Sequence, residues 1–422
     1  PFTPADPNFA PALSDALGPD PSGADHDPLL VGRTFLLSTD VDPNEKAAIR
    51  ALHEQVRECR NGQSPTLVTE AMAPYAVRVL PRGNWQDQSG AIVEPMPPHF
   101  LPQPKIEGRR QTRLDLAKWI VSPENPLTSR VIVNRFWKQF FGAGICDSVQ
   151  DFGAQGEWPS HPELLDWLAV EFRESGWDMK HMIRLMVMSN TYQQQSGLRP
   201  ELRSVDPQNR LLSCQSPRRL EAEFVRDNAL AISGLICLDI GGPSVFPYQP
   251  AGYYANIQFP NRDYISDTDD REYRRGVYMH WQRTFLHPML ANFDAPSRED
   301  SVCTRNVSNT PQQALTLLND PEFVECARVL AQKILPAASS DKDRIDTIYL
   351  RALDRDPKVE ESQSLLQFLA GQRSYYRDNP ADAEKLIHVG IAAVPNEDPV
   401  ELAAWTSVCR VVLNLHEMIT RY

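Results

Sequence analysis

Proline constrains this chain more than any other residue. Pro occupies 36 of the 422 positions, against 20 for Gly. Pro fixes φ and donates no backbone N–H, so it is unwelcome inside sheets and helices and suits the first helical position. Several prolines stand where a helix would open: Asp42-Pro43, Thr310-Pro311 and Asp320-Pro321 each join a capping side chain to a Pro, and Ser160-His161-Pro162-Glu163 has the same form. The fold class expected is mainly α: a multi-helical body with a Pro-rich N-terminal arm and a small β or irregular aromatic segment.

Periodicity places the helices. Val133, Phe136, Trp137, Phe140 and Phe141 fall at i, i+3, i+4, i+7 and i+8, one face of a helix starting at Thr128 and ending at Gly142. Leu164, Leu165, Leu168 and Phe172 form a second stripe, and Lys180 to Tyr192 a third, rich in Met and Leu. Thr112 caps a short helix over Arg113–Val121, and Leu220 to Leu235 reads as amphipathic. Further helices are expected over 321–335, 342–353, 357–371 and 399–419. Val77-Arg78-Val79-Leu80 alternates like a short strand, and Val277 to Trp281 reads as another. The organisation expected is an N-terminal arm and helix over 1–62, an extended or β linker over 63–109, and a helical domain over 110–422 with an irregular insert at 241–308.

Charge and motif content exclude several functions. The net charge of −12 repels phosphate backbones, so nucleic acid is not an expected partner. No apolar run reaches the length of a membrane span. The seven cysteines form no Cys-x-x-Cys pair, against a zinc site and against covalent haem attachment. They fit buried free thiols, or a few bridges with one left over. No Gly-x-Ser-x-Gly elbow, no His-Glu-x-x-His and no completed nucleotide loop after Gly142-Ala143-Gly144 is present. The chain opens on Pro1 rather than Met, as expected of a processed chain or a fragment.

The densest polar constellation is His287, Asp294, Arg298, Glu299 and Cys303. As a site, Arg298 would hold an anionic or polyhydroxyl substrate, Asp294 or Glu299 would handle a proton, and His287 would act as acid or base near neutral pH. As structure, the same residues would tie an irregular segment to the helical core, with Arg298 on carbonyls and carboxylates and Cys303 in packing. Tyr278 and Trp281 belong to an aromatic run whose exposed faces would stack on sugar rings, or whose rings would simply fill the core. The acidic loop Asp267–Glu272 lacks the glycine and spacing of a calcium loop and reads as salt-bridged and solvated.

Many ordered motifs resemble the planctomycete-specific domain of unknown function found at the C-terminal end of planctomycete cytochrome c domain proteins. They include Arg113-Leu114-Asp115-Leu116-Ala117-Lys118-Trp119, Val133-Asn134-Arg135-Phe136-Trp137 and Ser160-His161-Pro162-Glu163-Leu164-Leu165-Asp166-Trp167. Arg218-Arg219-Leu220-Glu221-Ala222-Glu223, Phe293 to Pro321 and Leu413-Asn414-Leu415-His416-Glu417 continue the series, over roughly residues 65–422. The resemblance implies an exported protein of the periplasm or cell envelope, linked to redox chemistry. It implies an accessory or docking module of a cytochrome c-linked assembly, with haem c on an upstream domain or partner and no cofactor in this chain. The alternative is a cell-envelope enzyme acting on carbohydrate, with a polysaccharide as partner. Neither reading assigns a reaction.

Overall fold

The computed structural model describes residues 43–61, 67–70, 72–197, 200–202, 204–256, 263–282, 285–394 and 396–421. The arm expected over residues 1–42, the Asp42 cap and Phe259 lie outside them. The chain divides into two units, residues 1–94 and 95–422. The smaller carries α1 (Pro43–Asn61) and a two-stranded antiparallel ladder of β1 (Val77–Arg78) and β2 (Ile92–Val93), with Val77 opposite Val93. Arg78 Nη1 donates to Gly90 O at 3.0 Å and steadies the turn between them.

The larger unit is helical, as the prolines foretell. Thr112 opens α2 (Arg113–Ile120) through a reciprocal box: its N–H and hydroxyl donate to Asp115 Oδ2 at 2.8 and 2.7 Å. Three helices then pack on one another: α3 (Thr128–Phe141), α4 (Pro162–Glu174) and α5 (Met179–Val187). Their apolar stripes meet in one cluster that includes Val133, Trp137, Phe141, Leu165, Phe172 and Met182. Trp137 stacks on Phe141 with ring centres 4.0 Å apart. Burying each such side chain is worth roughly 1.5–3 kcal/mol, which is what holds helices this short.

A second, larger cluster gathers α6 (Ala222–Ser233), α7 (Pro288–Asn292), α8 (Pro311–Asn319), α9 (Pro321–Ile334), α10 (Asp341–Leu353), α11 (Val359–Asp378), α12 (Pro380–Ile387) and α13 (Pro399–Leu413). Trp405 on α13 is fully buried in it, as are Leu330 on α9 and Leu369 on α11. Asp320 caps α9 by accepting from Glu322 N–H at 3.0 Å, with Pro321 at the first position. The helix expected over 399–419 ends at Leu413; a 3-10 turn, His416–Ile419, then leads into β4 (Thr420–Arg421). β4 pairs antiparallel with β3 (Arg218–Arg219), Arg218 opposite Arg421.

One expected strand is absent from its place. Val277 to Trp281 forms no strand: Gly276–Tyr278 is a 3-10 turn, and Met279 makes a single bridge to Val245. Gly276 is the physical reason. A Cβ there would lie 2.9 Å from the Cβ of Glu223, so the chain bends tightly against α6 instead of running straight. The surrounding aromatics pack on each other. Tyr254 is edge-on to Tyr264 at 5.4 Å and to Phe285 at 6.0 Å, and Phe246 stacks on His280 at 4.5 Å. All seven cysteines are free thiols; Cys146, Cys214, Cys326 and Cys409 are buried.

Candidate functional site

The apolar stripe of α3 decides what its other face offers. With Val133, Trp137 and Phe141 turned into the core, Arg135 is left exposed and Lys138 half-buried, one turn apart on the same side. Gly142 ends the helix at φ 94°. Its missing side chain also matters, because a Cβ would sit 2.9 Å from Arg218 Cδ. That space lets Arg218 fan across the last carbonyls of α3, donating to Lys138 O at 2.9 Å, Gln139 O at 2.6 Å and Phe140 O at 3.1 Å.

The β3–β4 ladder fixes the next residue as well. Alternation along the strand sends Arg219 the other way, where its Nη2 donates to Asp294 Oδ2 at 2.6 Å. Asp294 also accepts from Ser308 N at 2.8 Å and Ser308 Oγ at 2.9 Å, and Arg219 donates to Ser308 O. Burial pushes the Asp294 carboxyl up, but the Ser308 and Arg219 hydrogen bonds outweigh it and hold the group below its ordinary value. Asp294 has φ 62° and Arg298 φ 61°, both in the left-handed region that non-glycine residues avoid. Such conformations cost roughly 1–3 kcal/mol each and persist where neighbours over-determine them.

The segment from Phe293 to Val307 thus forms a wall facing α3 and β3, and between them opens a cleft of about 1040 Å³. Seven cations line it: Arg135, Lys138, Arg210, Arg218, Arg219, Arg298 and Arg305. Four carboxylates do so too: Glu221, Asp294, Glu299 and Asp300. A cleft with an excess of positive charge is unusual on a chain of net charge −12. Arg305 is committed, bidentate to Glu223 at 2.6 and 3.1 Å and 3.2 Å from Glu221. Cys303 is exposed, and Arg135 Nη2 donates to its sulfur at 3.4 Å.

The sequence constellation is therefore split. Asp294, Arg298, Glu299 and Cys303 share the cleft; His287 does not line it. His287 is buried and its Nε2 donates to Tyr248 O at 2.7 Å. Burial pushes it down to about 4, so it is neutral near pH 7. Arg298 does not satisfy carbonyls or carboxylates as a structural network would have it. It is exposed, and its guanidinium lies 3.7 Å above the Trp281 ring. Trp281 packs into the larger core beneath it, and Tyr278 lies outside the cleft lining, under the Arg274 guanidinium at 3.8 Å. Tyr278 also accepts from Gly241 N at 2.9 Å through its hydroxyl.

Sequence reasoning missed two things. One is the cationic wall of Arg135, Lys138, Arg218, Arg219 and Arg305; the i, i+3 cations opposite the α3 stripe were the available signal. The other is a buried charge cluster. Arg226 is fully buried and pairs with Glu322 at 2.5 Å while donating to Glu272 O and Arg274 O at 2.5 Å. Glu272, placed by sequence in a solvated loop, is buried, and its Oε1 accepts from Tyr248 N at 2.7 Å. Burial pushes it up to about 8. The rest of that loop is salt-bridged, with Arg271 2.9 Å from Asp269 and 3.2 Å from Asp267. Among the described residues no group of three His, Cys, Asp or Glu side chains has the geometry of a metal site.

The family model described as PSD1, protein of unknown function (DUF1553), matches residues 112–369. The chain belongs to the PSD1 family. The matched span holds every cleft residue from Arg135 to Val307, so the cleft of this PSD1 protein lies wholly within its family domain. Comparison with curated proteins found no match, and comparison with solved structures found none either. Among the described residues no helix is long and apolar enough to cross a membrane.

Proposed function

We propose that this PSD1 protein is a recognition module of the cell envelope that binds a polyhydroxyl ligand, a carbohydrate, in the cleft between α3 and the 293–307 segment. The observation that carries the reading is that Asp294, Arg298 and Glu299 line one open cleft instead of being sealed together inside the core. Binding fits the geometry better than acid–base turnover. Asp294 is saturated by Arg219 and Ser308, and His287 is buried away from the cleft and neutral. Glu299 and Asp300 line the cleft, are exposed, and have no ion-pair partner among the described residues, so they can accept from ligand hydroxyls. The test is a titration of the chain with a panel of cell-wall polysaccharides, read by tryptophan fluorescence and calorimetry. Saturable binding that Arg298→Ala weakens supports the proposal; no binding across the panel removes it.

A second reading is an accessory module of an exported, cytochrome c-linked redox assembly, with haem c carried by a partner or another domain. It draws on a different observation, in the unit of residues 1–94. There Leu67, Val68, Tyr75 and Trp85 stand 101, 84, 75 and 78% exposed, apolar side chains that a partner would cover. The acidic balance of the chain suits a basic cytochrome. Isolation of the native assembly tests it: a co-purifying haem protein supports the reading, and a chain recovered alone without haem overturns it.

A further inference from the structure

The seven cations of the cleft are not equivalent. Arg218 is spent on the carbonyls that end α3, Arg219 on Asp294, and Arg305 on Glu223. Arg210 donates to Gly144 O at 3.0 Å and Ile145 O at 3.3 Å, with Asp147 3.8 Å away. The other three rest on groups other than carboxylates. Arg135 reaches the Cys303 sulfur at 3.4 Å, Lys138 Nζ donates to Thr304 Oγ1 at 2.8 Å, and Arg298 lies on the Trp281 ring at 3.7 Å. Among the described residues none of these three has a carboxylate partner. They stand on opposite walls: Arg135 and Lys138 on α3, Arg298 on the strained segment across the cleft.

We infer that the carbohydrate bound in this cleft is a uronate polysaccharide, its carboxylates held by Arg135, Lys138 and Arg298 and its hydroxyls by Glu299 and Asp300. The inference rests on the carbohydrate reading above and narrows it. A guanidinium offers a planar fork of donors that matches a carboxylate two to two, and two such forks face the cleft. Stacking on Trp281 fixes the plane of one of them, so little freedom is lost when a carboxylate docks. Cations on two walls demand a ligand with repeated negative charge, which a chain of uronate units supplies and a single acid does not. The two free carboxylates would repel a ligand that carried charge alone; they require one that also donates hydroxyl hydrogens.

The test uses the full chain, oligogalacturonate, and the same oligomer fully methyl-esterified, which keeps the shape and removes the charge. The free acid is expected to bind at least about tenfold tighter than the ester, with affinity falling as salt rises. Arg135→Gln, Lys138→Gln and Arg298→Gln are each expected to weaken the free acid roughly three- to tenfold and the ester by a smaller factor. Circular dichroism and melting of each variant separate lost binding from lost fold. Equal binding of acid and ester overturns the uronate inference while the carbohydrate reading stands. Absence of binding to both oligomers, and to every neutral glycan tried, overturns both. Monomeric galacturonate matching the oligomer at equal carboxylate concentration overturns the requirement for a polymer.

Discussion

Arg298 holds its guanidinium 3.7 Å above the ring of Trp281, so an exposed residue at the rim of the cleft rests on one that packs into the larger core. The contact couples the two without tying Arg298 into the fold. Arg298→Ala is therefore expected to cost less than about 1 kcal/mol, the size of one exposed cation–π contact. Relief of left-handed backbone strain on passing to Arg298→Gly would offset part of even that. The emission of Trp281 should change in the same variant, read as the difference from a Trp281→Phe background. A loss of several kcal/mol would instead mean that Arg298 anchors the segment.

Asp294 is the opposite case. It accepts from Arg219 and twice from Ser308, and it holds the chain at φ 62° where α7 turns into the cleft wall. Asp294→Ala removes all three bonds, leaves Arg219 its carbonyl partners at Ser308 and Phe293 without their carboxylate, and keeps the backbone strain. A loss of roughly 1–3 kcal/mol in urea unfolding is expected. Asp294→Asn should cost less, because Asn tolerates the left-handed region and still accepts from Ser308. Equal melting of all three proteins would show that the wall is held elsewhere.

Cys303 supplies a reporter. It is exposed with Cys59, whereas Cys146, Cys214, Cys326 and Cys409 are buried, and burial pushes the thiols of Cys326 and Cys409 far up. Brief alkylation of the folded protein, mapped by mass spectrometry, should label Cys303 and Cys59 first. Oligogalacturonate should protect Cys303, which lines the cleft. Equal labelling of Cys303 with and without saturating ligand would place the ligand elsewhere.

The fold was legible in the sequence where chain-local rules act. Pro at the first helical position and an apolar repeat of 3.6 are local, so α3, α4, α8 and α9 stand close to where they were expected. The short α12, opened by Pro380, runs for only eight residues, too few turns for its stripe to stand out in the sequence. Val277 to Trp281 misled because its residues favour strands, while the backbone-to-helix approach at Gly276 is a tertiary fact. In the site, Asp294, Arg298, Glu299 and Cys303 were found because they lie close along the chain. Arg135 and Arg219 meet them only through folding, across 168 residues for Arg135 and Cys303 and 75 for Arg219 and Asp294. His287 was placed with them by proximity in sequence, yet α7 begins at Pro288 and turns it into the core.

The buried cluster around Arg226 makes stability depend on pH. Glu272 has an ordinary value of 4.5 and about 8 in the fold, because burial disfavours its charged form. Between those values the folded chain keeps a proton that the unfolded chain has released. Its contribution is fully present below 4.5 and is lost as pH rises through about 8. Glu322 moves the same way, to about 7, burial outweighing the pull of Arg226. His287 runs against them: its value of about 4 lies below the ordinary 6.5, so it adds stability as pH rises between the two and nothing above. From pH 6.5 to 8 His287 no longer opposes the carboxyls. Stability should fall there, by at most about 2 kcal/mol for the one proton of Glu272 over 1.5 pH units. Glu272→Gln is neutral throughout and still able to accept from Tyr248 N–H, so it should flatten the slope. Urea midpoints of both proteins at pH 6.5 and 8 decide it: parallel curves would mean that Glu272 is ionised in the fold, with Arg226 balancing two carboxylates at once.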